Sequence, residues 1–227
     1  ALELHRAKKF AESEPLFVQS IAANPGNLTA HYNLACTYNL GGKRAEALET
    51  LAQLREAGCR ACLSKVAAAP GDKDFASALG DKSFIELTSG IEASSPTTKE
   101  LGELVYEAFD NKNFEPLKDY VHPSAATKLN YALGLCDDDR PGACNSISRT
   151  YGFAAFEKSM KALASITFNE TSSVSFTAGD GLESCDDKCC SFGIESVSHG
   201  TLHLTDACFV NRAGFLFITE IVAMDES

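Results

Sequence analysis

Nine cysteines and five histidines carry most of the potential chemistry in this chain of 227 residues. Cys59-Arg60-Ala61-Cys62 has the spacing of a redox pair or of half a zinc site, but a zinc site needs four ligands and no second C-x-x-C occurs. Cys185, Cys189, Cys190 and Cys208 could together offer four thiolates, at a spacing that fits no zinc pattern. Asp137-Asp138-Asp139 lacks the alternation and the glycine of a calcium loop. No metal and no cofactor is therefore expected. Cys136, Cys144, Cys185, Cys189 and Cys190 stand among Asp, Gly, Pro and Ser. Bare thiols in such loops would be exposed and oxidisable, so disulfides are favoured over metal ligation and over free thiols.

Local geometry suggests the pairing. Cys136 and Cys144 can close their own loop across Pro141-Gly142, and Cys59 can meet Cys62 across one helical turn. Adjacent strand residues point to opposite faces, so Cys190 is expected to meet Cys208 while Cys189 turns toward Cys185. Cys36 is left over, as an odd count requires.

The histidines form no recognisable catalytic pattern. There is no G-x-S-x-G nucleophile elbow, no G-x-G-x-x-G and no phosphate-binding loop. His122-Pro123 follows an expected helix end and reads as a cap or turn. His203 lies in the alternating stretch Thr201-Leu202-His203-Leu204, and His199 precedes Gly200 in an expected hairpin turn. The reading is that the chain is not an enzyme.

The elements that position these residues divide into two kinds. Apolar residues recur at helical spacing over 4–23 and stop at Asn24-Pro25-Gly26-Asn27. A second helix is expected over Thr29–Leu40, a third over Lys43–Ala57 after Gly41-Gly42, and a fourth over Cys59–Ala69. Short helical turns follow, anchored by Phe75 and Phe84. Residues 91–98 are polar and hold Ser94-Ser95-Pro96, the expected linker. Beyond it Lys99–Phe109 is amphipathic, Phe114–Tyr120 and Gly152–Leu163 read as helices, and Tyr131-Ala132-Leu133 as a short strand. From Ser165 the period changes. Ser165–Thr177, Cys190–Val197, Thr201–Val210 and Gly214–Ala223 are rich in Val, Ile, Phe and Thr and read as an antiparallel sheet. Phe192, Ile194, Leu202, Leu204, Phe215, Phe217 and Ile221 are its expected core. The fold class is α+β, with residues 1–90 helical, 91–98 a linker and 99–227 a disulfide-stapled α+β domain.

Residues 28–55, LTAHYNLACTYNLGGKRAEALETLAQLR, resemble one tetratricopeptide repeat. Leu34, Ala35 and Tyr38 fall on its first-helix Leu, small and Tyr positions, and Ala47 and Leu51 on its second-helix Ala and large apolar positions. Lys9 to Pro25 is similar to the second half of a preceding repeat, which puts Ala1 on the small position of its first helix. The resemblance implies a partner-binding concave face carrying Thr29, Tyr32, Asn33, Cys36 and Asn39. Asn33 matches an Asn that many members turn toward a bound peptide. Tyr32 and Cys36 replace the Lys and second Asn of the carboxylate clamp, so clamp-type binding is not expected. The stack end near Ala1 to Phe10 has no visible cap and is where a partner could pack, whereas Phe75 and Phe84 can cover the other end. The element order of the second half resembles the NTF2-like fold, which implies as an alternative a domain that binds or turns over a small apolar ligand.

Charge narrows the partners. Residues 1–95 hold 11 acids and 10 bases, and the remainder 20 acids and 10 bases. An acidic second half disfavours nucleic acid and anionic membranes, which need clustered Lys and Arg. No apolar run reaches the roughly 18 residues of a membrane span. The chain starts inside a helical pattern, which suits a mature N-terminus after leader cleavage or a shortened chain. Together these readings imply an exported adaptor, periplasmic or on the cell surface, that binds another protein within a larger assembly.

Overall fold

A computed structural model describes residues 1–92, 96–132, 145–163, 167–168, 172–173, 175–178, 181–193 and 201–224. The chain divides into two units. The first is Ala1–Ser94 with Arg212–Phe215, and the second is Ser95–Asn211 with Leu216–Ser227. The division at Ser94 falls within the polar stretch 91–98.

The first unit is helical: α1 (Leu2–Arg6), α2 (Phe10–Ala23), α3 (Leu28–Leu40), α4 (Arg44–Glu56), α5 (Arg60–Ala68) and α6 (Lys82–Thr88), with 3-10 turns at Ala69–Gly71 and Lys73–Ala78. The helical pattern of 4–23 is thus interrupted. Lys8 takes φ 59°, and Lys9 N–H donates to Leu4 O while Lys8 N–H donates to His5 O. This left-handed cap ends α1. Gly42, 34 residues later, takes φ 79° and ends α3 with the same two bonds, Lys43 N–H to Tyr38 O and Gly42 N–H to Asn39 O. Two hairpins of one period result. Ala35 (0% exposed), Ala47 (1%) and Leu51 (0%) pack where the hairpin needs small and large partners. Phe75 and Phe84 are each 1% exposed and stack at 5.4 Å, as expected of the segment after α4.

The second unit begins with α7 (Thr98–Asp110), whose start is fixed by a capping box between Thr97 and Glu100. A 3-10 turn follows at Glu115–Tyr120, where an ordinary helix was expected. Then come β1 (Ala126–Ala132), β2 (Asn145–Tyr151), α8 (Phe153–Leu163), β3 (Thr167–Phe168), β4 (Ser172–Ser173), β5 (Ser175–Thr177), β6 (Gly181–Cys185), β7 (Cys189–Gly193), β8 (Thr201–Arg212) and β9 (Phe215–Met224). The main sheet has the order β2-β1-β9-β8-β7-β6, with β5 also paired to β8. It is mostly antiparallel; β1 with β9 and β5 with β8 are parallel. β1 is longer than the expected Tyr131–Leu133, and β2 was not expected at all. It is the edge strand of the described sheet and leaves Ile147 and Tyr151 exposed. Leu101, Val105 and Phe109 of α7, Phe156 and Met160 of α8, and Leu202 and Leu204 of β8 share one buried cluster. Phe192, Leu202, Leu204, Phe215, Phe217 and Ile221 are buried as expected; Ile194 and His199 lie outside the described residues.

Candidate functional site

The strongest candidate is a groove of about 710 Å³ in the first unit, lined by Leu2, His5, Arg6, Lys8, Phe10, Asn33, Leu40, Lys73 and Asp74. Four elements build it, α2 contributing Phe10 at its start. α1 brings Leu2, His5 and Arg6, and the cap after it holds Lys8 out in a left-handed turn. α3 brings Asn33 and Leu40. The 3-10 turn at Lys73–Ala78 brings Lys73 and Asp74. Its start is fixed by Asp72, whose Oδ1 accepts Asp74 N–H at 2.9 Å.

One polar chain ties α1, α3 and the 3-10 turn together. Thr37 Oγ1 donates to Asn33 O at 2.7 Å. Its single proton is thereby spent, so the same oxygen accepts from His5 Nδ1 at 2.9 Å. His5 Nε2 faces Asp74 Oδ2 at 3.1 Å. The order Thr-His-Asp superficially resembles a nucleophilic triad. It does not present a nucleophile, because Thr37 is 1% exposed and its hydroxyl proton is committed to the helix backbone. Arg6, Lys8 and Lys73 form no ion pair among the described residues. The groove therefore carries cations on its rim and, on its wall, one carboxylate already engaged by His5.

The five expected partner-binding residues separate into two groups. Asn33 lines the groove, and Thr29 is exposed. Tyr32, Cys36 and Asn39 are 8%, 1% and 5% exposed, and the expectation that they face a partner is corrected. The chain's own segment after α5 occupies that face. Tyr32 Oη donates to Asp72 Oδ2 at 3.0 Å and its ring meets Phe75 edge-on at 5.9 Å. Lys65 Nζ lies 5.2 Å from the centre of the same ring. Asn39 Nδ2 donates to Asp74 O at 2.5 Å. Burial pushes the Tyr32 hydroxyl and the Cys36 thiol well above their ordinary ranges, so Cys36 is a packed, unreactive thiol. In longer repeat arrays the next repeat covers this face; here the turn with Phe75 does.

The cysteines form disulfides. Cys59 pairs with Cys62, and Cys36 is free and buried, both as expected. The expected Cys190–Cys208 and Cys185–Cys189 pairs are not formed: Cys185 pairs with Cys190, and Cys189 with Cys208. Parity along the strand cannot tell which of two neighbours faces a given partner; register can. Asp186 Oδ1 accepts the N–H groups of Lys188 and Cys189, each at 2.7 Å. That tight turn sets Cys185 opposite Cys190 and, on the next strand, Cys189 opposite Cys208. Cys190 is 0% exposed and packs on α7 at Gly102. Cys136 and Cys144, with Asp137–Asp139 between them, lie outside the described residues.

His122 and His31 make structural contacts. His122 Nδ1 accepts Ser124 N–H and Ala125 N–H at 3.1 and 2.9 Å, the expected turn role. His31 Nε2 donates to Pro25 O. His203 is 4% exposed, and neither ring nitrogen has a hydrogen-bond partner among the described residues. Among the described residues no group of three His, Cys, Asp or Glu side chains could hold a metal ion, and no helix is long and apolar enough to cross a membrane.

Reading the sequence missed Arg6, Lys8 and Lys73 as groove residues. The signal available was the expectation that a partner could pack near Ala1 to Phe10. No curated protein and no solved structure matches the chain. Residues 4–58, which span α1 to the end of α4, match the family model of the tetratricopeptide repeat. With two hairpins closed by equivalent caps 34 residues apart, the N-terminal part of this chain matches the tetratricopeptide repeat in sequence and in hairpin geometry, a fold that generally supports protein–protein interaction.

Proposed function

We propose that the chain is a non-enzymatic adaptor of the bacterial periplasm or cell surface, which holds a partner protein in the groove between α1, α3 and the Lys73 turn as part of a larger assembly. The observation that carries this reading is the groove itself. The self-covering that buries Tyr32, Cys36 and Asn39 stops short of it. Asn33 offers a side-chain amide to a peptide backbone, Leu2, Phe10 and Leu40 offer apolar contact, and Arg6, Lys8 and Lys73 offer charge.

Three disulfides among the described residues support export, because such bonds persist in oxidising compartments. Among the described residues of the second unit, Phe109, Phe114, Phe156 and Met160 pack in one buried cluster with residues of the sheet, which supports interaction over small-ligand binding. The spent Thr37 hydroxyl supports the non-enzymatic reading.

The test is photocrosslinking in the native envelope fraction, with the crosslinker at Leu2 or, as a control, at Lys82 on α6. A discrete heterologous adduct from Leu2 alone, lost on Asn33→Ala combined with Arg6→Glu at unchanged melting temperature, is the expected result. Recovery of the chain as an uncrosslinked monomer at low salt, or an adduct indifferent to those changes, would overturn the proposal.

A further inference from the structure

A second groove lies elsewhere on the repeat and is opposite in charge. α3 forms its floor through Leu34 and Tyr38, α2 one wall through Val18 and Ile21, and α4 the other through Glu46 and Glu49; its volume is about 270 Å³. The floor is the outer side of a small apolar cluster of Phe17, Ala30 and Leu34, on which Ile21 and Tyr38 pack. Val18 is 45% exposed, although an apolar residue on a two-helix wall is ordinarily covered. Glu46 and Glu49 stand three positions apart on α4, hence on one face, and neither is in an ion pair among the described residues.

The chain itself shows what such a lining holds. Lys43 Nζ lies 5.7 Å from the centre of the Tyr38 ring and 2.7 Å from Glu14 Oε2. One ammonium is thus already held by a tyrosine face and a carboxylate at the margin of this groove. Glu46 and Glu49 also bear on Tyr38: after burial and Glu14, they help to raise its hydroxyl above the ordinary range. They set two further carboxylates beside that arrangement, and though Glu46 also bears on the Lys43 ammonium, the ion pair of Lys43 is with Glu14. A pocket below about 300 Å³ is small for a drug-sized ligand, but a long side chain with an apolar stem and a charged head fits the lining.

We infer that this groove seats a Lys or Arg side chain of a partner helix, its stem over Leu34 and Val18 and its head between Glu46 and Glu49. The helix carrying it is basic and amphipathic, with apolar residues for Val18 and Ile21. This surface shares no lining residue with the Arg6–Asn33 groove, so either can fail without the other.

The test uses two synthetic helical peptides with Leu at positions i, i+3, i+4 and i+7, one with Lys at the other positions and one with Glu. Each is titrated into isotope-labelled full chain. The Lys peptide should shift the methyl resonances of Val18, Ile21 and Leu34 saturably, and the Glu peptide should leave them still. Because the acidic second half can attract any Lys peptide, the deciding comparison is the Glu46→Gln/Glu49→Gln double variant. These exposed, unpaired positions can change without disturbing the fold, and the affinity read at Val18 should fall about tenfold, the loss of one charge-assisted contact. An affinity unchanged in the double variant, shifts confined to the second unit, or the same methyl shifts produced by self-association without peptide would each overturn the inference.

Discussion

The two units solve the same problem, holding irregular chain against a regular frame, by different means. In the first, the segment after α5 is kept in place by side chains that reach across sequence. Asn39 donates to Asp74 O, Arg44 to Ser77 O at 2.9 Å, and Arg55 to the carbonyls of Glu86 and Leu87, while Phe75 and Phe84 fill the space beneath. Its one disulfide joins residues three apart. In the second, β6, β7 and β8 are joined covalently in series by Cys185–Cys190 and Cys189–Cys208. The lesson is that a helical hairpin can be completed by packing and local polar bonds, whereas short strands such as β6 and β7, five residues each, gain from cross-links that hold their register.

The sharpest way to break this contrast is to remove the packing. Phe75→Ala should destabilise the first unit by about 3–5 kcal/mol, the usual range for a buried phenylalanine. Followed by amide exchange, protection should fall across α3 and α4 while β7 and β8 stay protected. Equal loss in both units would show that they do not have separate supports.

The next largest effect is expected from the staples. Chain-entropy arithmetic gives about 3 kcal/mol for the Cys189–Cys208 closure but about 2 kcal/mol for Cys59–Cys62, because the second loop is so much shorter. Cys189→Ser with Cys208→Ser should therefore lower the denaturation midpoint of the second unit more than Cys59→Ser with Cys62→Ser lowers that of the first. On full reduction, the sheet should melt first in a thermal scan. Melting of the helices first would reverse the comparison.

The hairpin of α3 and α4 was legible in the sequence because its packing positions recur at a period that only one architecture explains. Phe75 and Phe84 were legible as anchors for the same reason: large aromatics in short turns need a place to be buried. The landing place of Phe75 on Tyr32 was not, since nothing near Tyr32 encodes a contact some 40 residues away. Arg6, Lys8 and Lys73 were hidden because they occupy no family position; the fold, not the pattern, assembles them. The disulfide partners among β6, β7 and β8 were missed by one residue, as register depends on a turn hydrogen bond and a strand pattern reports only parity. β2 was missed because its outward residues Ile147 and Tyr151 spoil the apolar-in alternation.

The smallest effect expected is on pH. Hydrogen bonds from Cys189 N–H and then Lys188 N–H hold the Asp186 carboxyl below its ordinary range. With the folded value depressed, the turn's contribution is complete above the ordinary Asp range and is lost as pH falls through the folded value. The amide resonances of Lys188 and Cys189 should move in that acid window. Asp186→Asn, which keeps the acceptor but not the charge, should flatten the profile. A profile unchanged by that substitution would assign the acid sensitivity elsewhere.

The two staples around Cys189 and Cys190 also bear on how the chain yields to force. A pulled domain lengthens by the contour of whatever unravels, at about 3.4 Å per residue. Cys189 and Cys208 are 19 residues apart, so about 65 Å of chain stays locked when this unit is stretched from its ends, and the overlapping bond from Cys185 to Cys190 withholds about 10 Å more. The first unit, whose cover is fastened by hydrogen bonds, has no comparable stop, since its one bond spans three residues. Under tension the stretch from Cys185 to Cys208 would stay short and act as a tether inside the second unit, while the chain on either side of it pays out.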